Sequence, residues 1–399
     1  MDKTVAIATV LALFSVVIAP MTANVTSSST IYIRPDGSVD PASAPVHRNG
    51  DIYSLTDNIY ETIEIQKSGI RLDGAGYSIG GTGSGYGLYL SSITGVTMTN
   101  LIIDGFQVGI RMEGASYNTI VDNVISGSRN AGIAVRSSSN GNVITGNTLF
   151  ENNFAIYFFS SSHNVARENL VYDHRYVGIR TYDAPNSVIS ENTITNNADS
   201  GIYLRHASNS IVKENLIVGN GYYGINVYRT SNSIIKENTI LENGLSGIQV
   251  SSGVSHYSTE NTIKENKISG NQEHGIYLYG ALGNTIAENE VSGNGGNGIH
   301  MRASLWWSSD ENIMTGNTIS GNTIGLCLDE YTRKNVIHHN NVMKNEDQAK
   351  DEGSNKWDDG AGEGNYWSNY KGKDLDGDGV GDTKLPHLDL DWYPMMNQC

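Results

Sequence analysis

A glycine or alanine followed by Ile or Leu recurs at positions 87, 109, 132, 155, 178, 201, 224, 247, 275, 298 and 325, at intervals of 22, 23, 23, 23, 23, 23, 23, 28, 23 and 27 residues. Within each interval the pattern is close to G-I-x-V followed by N-x-I-x-x-N-x-I-x-x-N, which is three short apolar alternations of period two separated by polar turn residues. Helices need longer runs of period 3.6, so they cannot satisfy it. Three strands per 22–23 residues, repeated about eleven times, predict an all-β solenoid: a right-handed parallel β-helix in which each strand pairs with its equivalents above and below. The 45 glycines, 22 tyrosines and only 7 prolines agree with a turn-rich β solid.

Within this frame most positions are scaffold. Ile110, Ile133, Ile156, Ile179, Ile202, Ile225, Ile248, Ile276 and Ile299 form one expected core ladder. Asn192, Asn215, Asn238, Asn266, Asn289, Asn317 and Asn340 form a turn column, and Asn197, Asn220, Asn243, Asn271, Asn294, Asn322 and Asn345 a second. Asn tolerates left-handed backbone, and its amide can hydrogen-bond along a stack. The chain divides on this reading into an export signal at 1–23, an N-terminal cap at 24–65, repeats at 66–345 and a tail at 346–399. The signal rests on Lys3, an apolar run from Val5 to Ala19, and small residues ending at Ala23. Left uncleaved, it is the one segment that would hold the chain to a membrane, so the protein is expected outside the cytoplasm: secreted, periplasmic or at the cell surface. Two cysteines exclude a disulfide framework, and a net charge of −16 argues against a nucleic-acid partner.

The repeat, the opening IRLDGAGYSIGG and the tail GNYWSNYKGKDLDGDGVGD resemble NosD-like proteins, within the wider set of parallel β-helix domains of carbohydrate-binding proteins and sugar hydrolases. The resemblance implies a periplasmic accessory of copper-site assembly that docks a partner protein. Many relatives are surface proteins without an assigned role, so a structural surface component is a further expectation. Copper would want His, Met or Cys, and His300 and Cys327 are neighbours in one column. His338 and His339 follow, but adjacent strand residues point to opposite faces, so one at most is expected to join a site.

Comparing the three strands down the stack separates function from scaffold. Strands beginning N-x-I carry Ser210, Val212, Lys213 and Glu214 and their equivalents Ser233, Ile235, Lys236 and Glu237, read as a solvated outer face, and the next strand is blander, with Thr193, Thr195 and Thr239. The G-I-x-V strand instead presents Arg111, Tyr157, Arg180, Tyr203, Tyr277 and His300 at one outward position and Tyr182, Arg205, Tyr228, Tyr279 and Arg302 at the next, with Asp183, His206 and Arg229 at the turn. Coils stack about 4.8 Å apart, so the stripe is about 45 Å long, suited to an extended polysaccharide whose rings pack on aromatic faces and whose hydroxyls and carboxylates meet arginines. Both long coils carry their insertions just after this strand, and His256, Tyr257, Trp306 and Trp307 are expected to wall it beside Tyr277 and Tyr279. Asp183 and Asp329 lie about 29 Å apart on this count, too far for a two-carboxylate hydrolase. If the protein is an enzyme, Asp183, Arg205 and His206 fit a polysaccharide lyase or uronate epimerase. Separately, DLDGDGVGD spaces Asp374, Asp376, Asp378, the Val380 carbonyl and Asp382 as in a calcium loop, although Leu385 stands where the bidentate Glu belongs.

Overall fold

The structure, a computed structural model, describes residues 30–254 and 256–399. The expected export signal lies outside the described residues. Three long sheets of 15, 13 and 15 strands wrap one core, and their pairings are parallel except at the N-terminal end, where Thr30–Ile33 pairs antiparallel with Val39–Asp40 and Val46–Asn49 with Ile52–Leu55. Among the described residues there are no helices. About fourteen coils are present rather than eleven, because Thr30–Ile33 and Thr62–Ile65 continue the first sheet below the regular repeat and Asp347–Asp351 continues it above.

The isoleucine ladder stacks in register, Ile179 on Ile202 on Ile225 on Ile248 on Ile276, each fully buried. The glycine before each Ile is required by close approach: a Cβ on Gly201 would lie 2.7 Å from Ile217 Cγ2 and 2.9 Å from the Gly224 carbonyl oxygen. Both asparagine columns are ladders in which each side-chain Nδ2 donates to the next Oδ1, as from Asn215 to Asn238 (2.9 Å) and from Asn243 to Asn271 (2.9 Å). A third ladder at the remaining corner runs through Asn118, Asn142 and Asn164, then Ser187, Ser210 and Ser233, then Asn261 and Asn284.

That third ladder corrects the sequence reading of its strand. Asn209 takes a left-handed conformation (φ 59°), which turns Ser210 inward and shifts the alternation by one residue. Val212 and Ile235 are therefore core, fully buried, and Ser210 and Ser233 are buried with them, leaving Ile211, Lys213 and Glu214 facing solvent.

The tail docks by extending what precedes it. Asn365 receives the amide of Asn340 (2.9 Å), continuing that ladder, and Tyr366–Trp367 pairs with Asn341–Met343. Trp357 and Trp367 are buried over the last coil, and Asp391 accepts from Trp367 Nε1 (2.8 Å) and from the Asn365 N–H (2.9 Å).

Candidate functional site

The outward positions of the first sheet stack as the spacing predicts: Tyr157 on Arg180 on Tyr203 on Asn226, and Phe159 on Tyr182 on Arg205 on Tyr228. Each arginine is inserted among rings. Arg180 lies 5.3 Å from the Tyr157 centroid and 5.6 Å from Tyr203, while Arg205 lies 4.6 Å from Tyr182 and 5.6 Å from Tyr228. Arg229 sits 4.9 Å from Tyr228, and Arg302 5.9 Å from Tyr279. Burial raises the Tyr157 and Tyr203 hydroxyls above the usual phenol value, against the opposing pull of the neighbouring arginines, so both remain protonated donors near neutrality.

The corner residues Asp183, His206 and Arg229 all have φ near +50°. Corners throughout the solenoid do the same, Glu214 and Glu237 among them, so this is how the fold turns rather than strain held at a site. Its effect here is to set Asp183 and His206 in adjacent coils with Nδ1 of the histidine 2.8 Å from Asp183 Oδ1. A carboxylate only accepts, so Nδ1 carries a proton, and in the neutral ring Nε2 presents its lone pair. Among the described residues that Nε2 is buried without a partner, and so are Nε of Arg180, Arg205 and Arg229 and Oδ1 of Asn226. Buried polar atoms are normally satisfied, and a cluster of exceptions on one face marks groups arranged for something other than the fold.

The two insertions touch through Tyr257 and Trp307 but do not form the single wall expected beside Tyr277 and Tyr279. Each folds into a tight turn, bridged Gly253 to His256 and Ser304 to Trp307. The first leans back along the stack: a Cβ on Gly253 would strike the Arg229 guanidinium, and the His256 ring is 5.5 Å from His206. His256 thus belongs with the Asp183–His206 pair and not with Tyr277 and Tyr279. Tyr257 meets Trp307 edge-on at 6.4 Å, which covers the coil, whereas Trp306 is 84% exposed.

Farther along the same face the sequence reading missed His274, whose corner position precedes the strand. The Asn297 N–H donates to His274 Nδ1 (3.0 Å), so the His274 proton must sit on Nε2, 3.1 Å from His300 Nδ1. His300 Nδ1 is then the acceptor, and its Nε2–H donates to Asp329 Oδ1 (3.0 Å). A backbone N–H cannot reverse, so the chain has a fixed direction. Burial lowers His274 to about 4, keeping it neutral. Donor atoms of His300, Cys327 and Asp329 lie within 4.8 Å of one another. They nevertheless do not fit copper as they stand: the His300 Nε2 lone pair is capped by its proton, and burial pushes the Cys327 thiol up to about 11.

In the tail, Asp374, Asp376 and Asp382 bring oxygens within 4.8 Å of one another. Asp378 stands outside that group, its Oδ1 accepting the Val380 N–H (2.8 Å). Backbone N–H groups of Gly377 and Gly379 hold the Asp374 carboxyl below its ordinary range.

Fold and face together define a right-handed parallel β-helix protein with one outward sheet given over to stacked aromatic and cationic side chains. The family described as periplasmic copper-binding protein (NosD) matches residues 137–256 and 249–372, and a right handed beta helix region matches residues 48–185. The chain belongs to the NosD family. No curated protein matches it. Among solved structures it is similar to the periplasmic alginate epimerase AlgG, at 16% identity over 70% of this chain and 75% of that one, with a TM-score of 0.55. It is also similar to the A-module of the Azotobacter vinelandii mannuronan C-5 epimerase AlgE4, at 16% identity over 74% of this chain and 89% of that one, TM-score 0.53. The AlgE6 A-module of the same organism matches at 15% identity over 74% and 91%, TM-score 0.51. At these identities the likeness is one of fold.

Proposed function

We propose that the protein acts outside the cytoplasm and binds an extended acidic polysaccharide along the first sheet, centred on Tyr203, Arg205 and His206. The observation that carries this reading is the set of buried polar atoms without partners among the described residues on Arg180, Arg205, His206, Asn226 and Arg229, aligned across adjacent coils. Arginines held among rings by cation–π contact are suited to a carboxylate, and the rings to stacking on sugars. Tyr157 and Tyr182 extend the same surface toward one end, and Tyr228, Tyr277, Tyr279 and Arg302 toward the other.

The Asp183–His206 pair adds a chemistry to the binding. His206 Nε2 is poised to take the proton from the sugar carbon beside the carboxylate while Arg205 and Arg229 neutralise the carboxylate, as lyase or epimerase reactions require. In elimination the electron pair left by that proton forms a C=C bond, the glycosidic C–O bond breaks, and the departing oxygen takes a proton from Tyr203. In epimerisation the same C–H bond breaks and re-forms with a proton delivered to the opposite face of that carbon, while the glycosidic bond stays intact. Calcium at Asp374, Asp376 and Asp382 is part of the proposal as a structural ion of the tail, tested by Ca2+ calorimetry on the protein and its Asp374→Asn variant.

Calorimetry with a polyuronate checks binding. Replacing Tyr203, Arg205 and Tyr228 together by Ala should lower affinity by at least about tenfold, since hydrogen bonds to charged groups contribute about 1.5–3 kcal/mol each. Unchanged affinity overturns the reading. His206→Ala with binding retained should abolish any double-bond formation or any exchange of the sugar proton with deuterated solvent.

A second reading follows from family membership: an accessory in copper-site assembly that docks a protein. Leu305 (75% exposed) and Trp306, side by side at the tip of the second insertion, favour it as an apolar contact point.

A further inference from the structure

The last coil brings together side chains that neither the glycan face nor the His274–His300 chain uses. Alternation along a strand places His338 and His339 on opposite faces, and the structure overturns that expectation. The strand Arg333–His338 ends at His338, and His339 is a left-handed corner residue (φ 53°), so its side chain swings back beside its neighbour. Their Nδ1 atoms are 2.7 Å apart. The His339 N–H donates to the Gly364 carbonyl (2.6 Å), tying the corner to the tail segment that bears Glu363, and His339 Nε2 lies 2.7 Å from Glu363 Oε2. Asp359 completes the group, with donor atoms of His339, Asp359 and Glu363 all within 4.8 Å of one another. Three backbone N–H groups, of Ala361, Gly362 and Glu363, fix the Asp359 carboxylate through Oδ1.

We propose that His339, Glu363 and Asp359 form a site for a borderline divalent transition-metal ion, copper(II) foremost, with His338 as the residue that orients His339. The contrast with His300 carries the assignment. There a backbone N–H sets the direction of the histidine chain, and the ligand lone pair is capped. Here no backbone donor among the described residues fixes either ring. Without metal, His338 Nδ1–H donates to His339 Nδ1, and His339 Nε2–H donates to Glu363. With metal on His339 Nε2, the proton of that nitrogen moves to His339 Nδ1 and the His338 proton shifts from its Nδ1 to its own Nε2, so His339 Nδ1–H donates to His338 Nδ1 and both rings stay neutral and hydrogen-bonded. A histidine whose second nitrogen donates to a fixed acceptor is the usual arrangement around a bound metal. One imidazole with two carboxylates suits Cu2+ or Zn2+, with Cu2+ the tighter, and is a poor set for Cu+. The ion would join the last coil to the tail, so binding stabilises the cap.

The site shares no residue with the glycan face, and the two proposals stand or fall separately. The test is titration of the full chain with Cu2+, in excess Ca2+ to occupy the acidic loop, followed by electron paramagnetic resonance and thermal unfolding; Zn2+ is titrated in parallel. One tightly held Cu2+ per chain with imidazole nitrogen hyperfine structure and a raised Tm is expected, with Zn2+ raising Tm less. His339→Asn, which suits the left-handed corner, and Glu363→Gln should both remove the tight site while keeping the metal-free Tm near that of the parent. His338→Gln should weaken binding about 10–100-fold. Absence of tight binding, or an unchanged spectrum and affinity in His339→Asn, overturns the proposal.

Discussion

At the scale of single residues, the protein sorts its histidines by what holds their nitrogens. His206 has a carboxylate on one nitrogen and nothing from the described residues on the other, whereas His274 and His300 are consumed in a chain that starts from a backbone N–H. His174 is a third kind. It replaces Asn in a corner ladder, accepting from the Asn152 N–H at Nδ1 (3.1 Å) and therefore donating from Nε2 to the Leu149 carbonyl (3.1 Å). Burial lowers it to about 4 from the ordinary 6.5. Its folded pKa is depressed, so the folded chain takes up a proton less readily than the unfolded one. The stabilisation is complete above about pH 6.5 and is lost as pH falls toward 4, by about 3 kcal/mol at most. Urea denaturation at a series of pH values should show this loss in the parent and a flatter profile in His174→Asn, which restores the ladder residue. Column comparison made Tyr203, Arg205 and His206 legible in the sequence, because a periodic fold supplies its own control. His274 and the His338–His339 pair were not legible, because corner residues leave the alternation and left-handed φ values are not written in residue type.

At the scale of strands and corners, the solenoid is held by ladders more than by any one strand of three or four residues. Asn238 shows why: its Nδ2 donates to the Val212 and Lys236 carbonyls and to Asn266 Oδ1, and its Oδ1 accepts the backbone and side-chain amides of Asn215. Asn238→Ala leaves the buried Asn215 backbone N–H without its acceptor and cuts the side-chain ladder, and should cost about 2–4 kcal/mol, whereas Lys236→Ala on the solvated face should stay within about 0.5 kcal/mol. Chemical denaturation of the two variants side by side checks it. Two of the three ladders were readable from the spacing of asparagines. The third was hidden because Ser187, Ser210 and Ser233 occupy it in mid-stack, and reading those serines as surface put Val212 on the wrong side. The insertions illustrate the other limit. Their place after the G-I-x-V strand is written in the 28- and 27-residue intervals, but the lean of the first toward His206 depends on contacts with Arg229 that spacing does not encode.

At the scale of the whole molecule, a parallel solenoid has two ends, and each would present unpaired strand edges to any other copy. Here the tail closes one of them. Asp347–Asp351, Ser354–Lys356 and Tyr366–Trp367 add a final strand to each of the three sheets, and Trp357 and Trp367 cover the core beneath. The same segment carries thirteen acids against five lysines between Glu346 and Asp391, a net of −8 out of −16 for the chain. A chain ending at Asn345 would therefore lose the cover on its edges and half of the charge that keeps copies apart. Both losses act in one direction. The truncated protein should self-associate end to end, more strongly as salt screens the remaining charge, and light scattering on a sizing column should show a mass that grows with concentration. A truncated chain that stays monomeric across that range would mean that the last coil protects its own edges, and that the tail is there for what it binds rather than for what it covers.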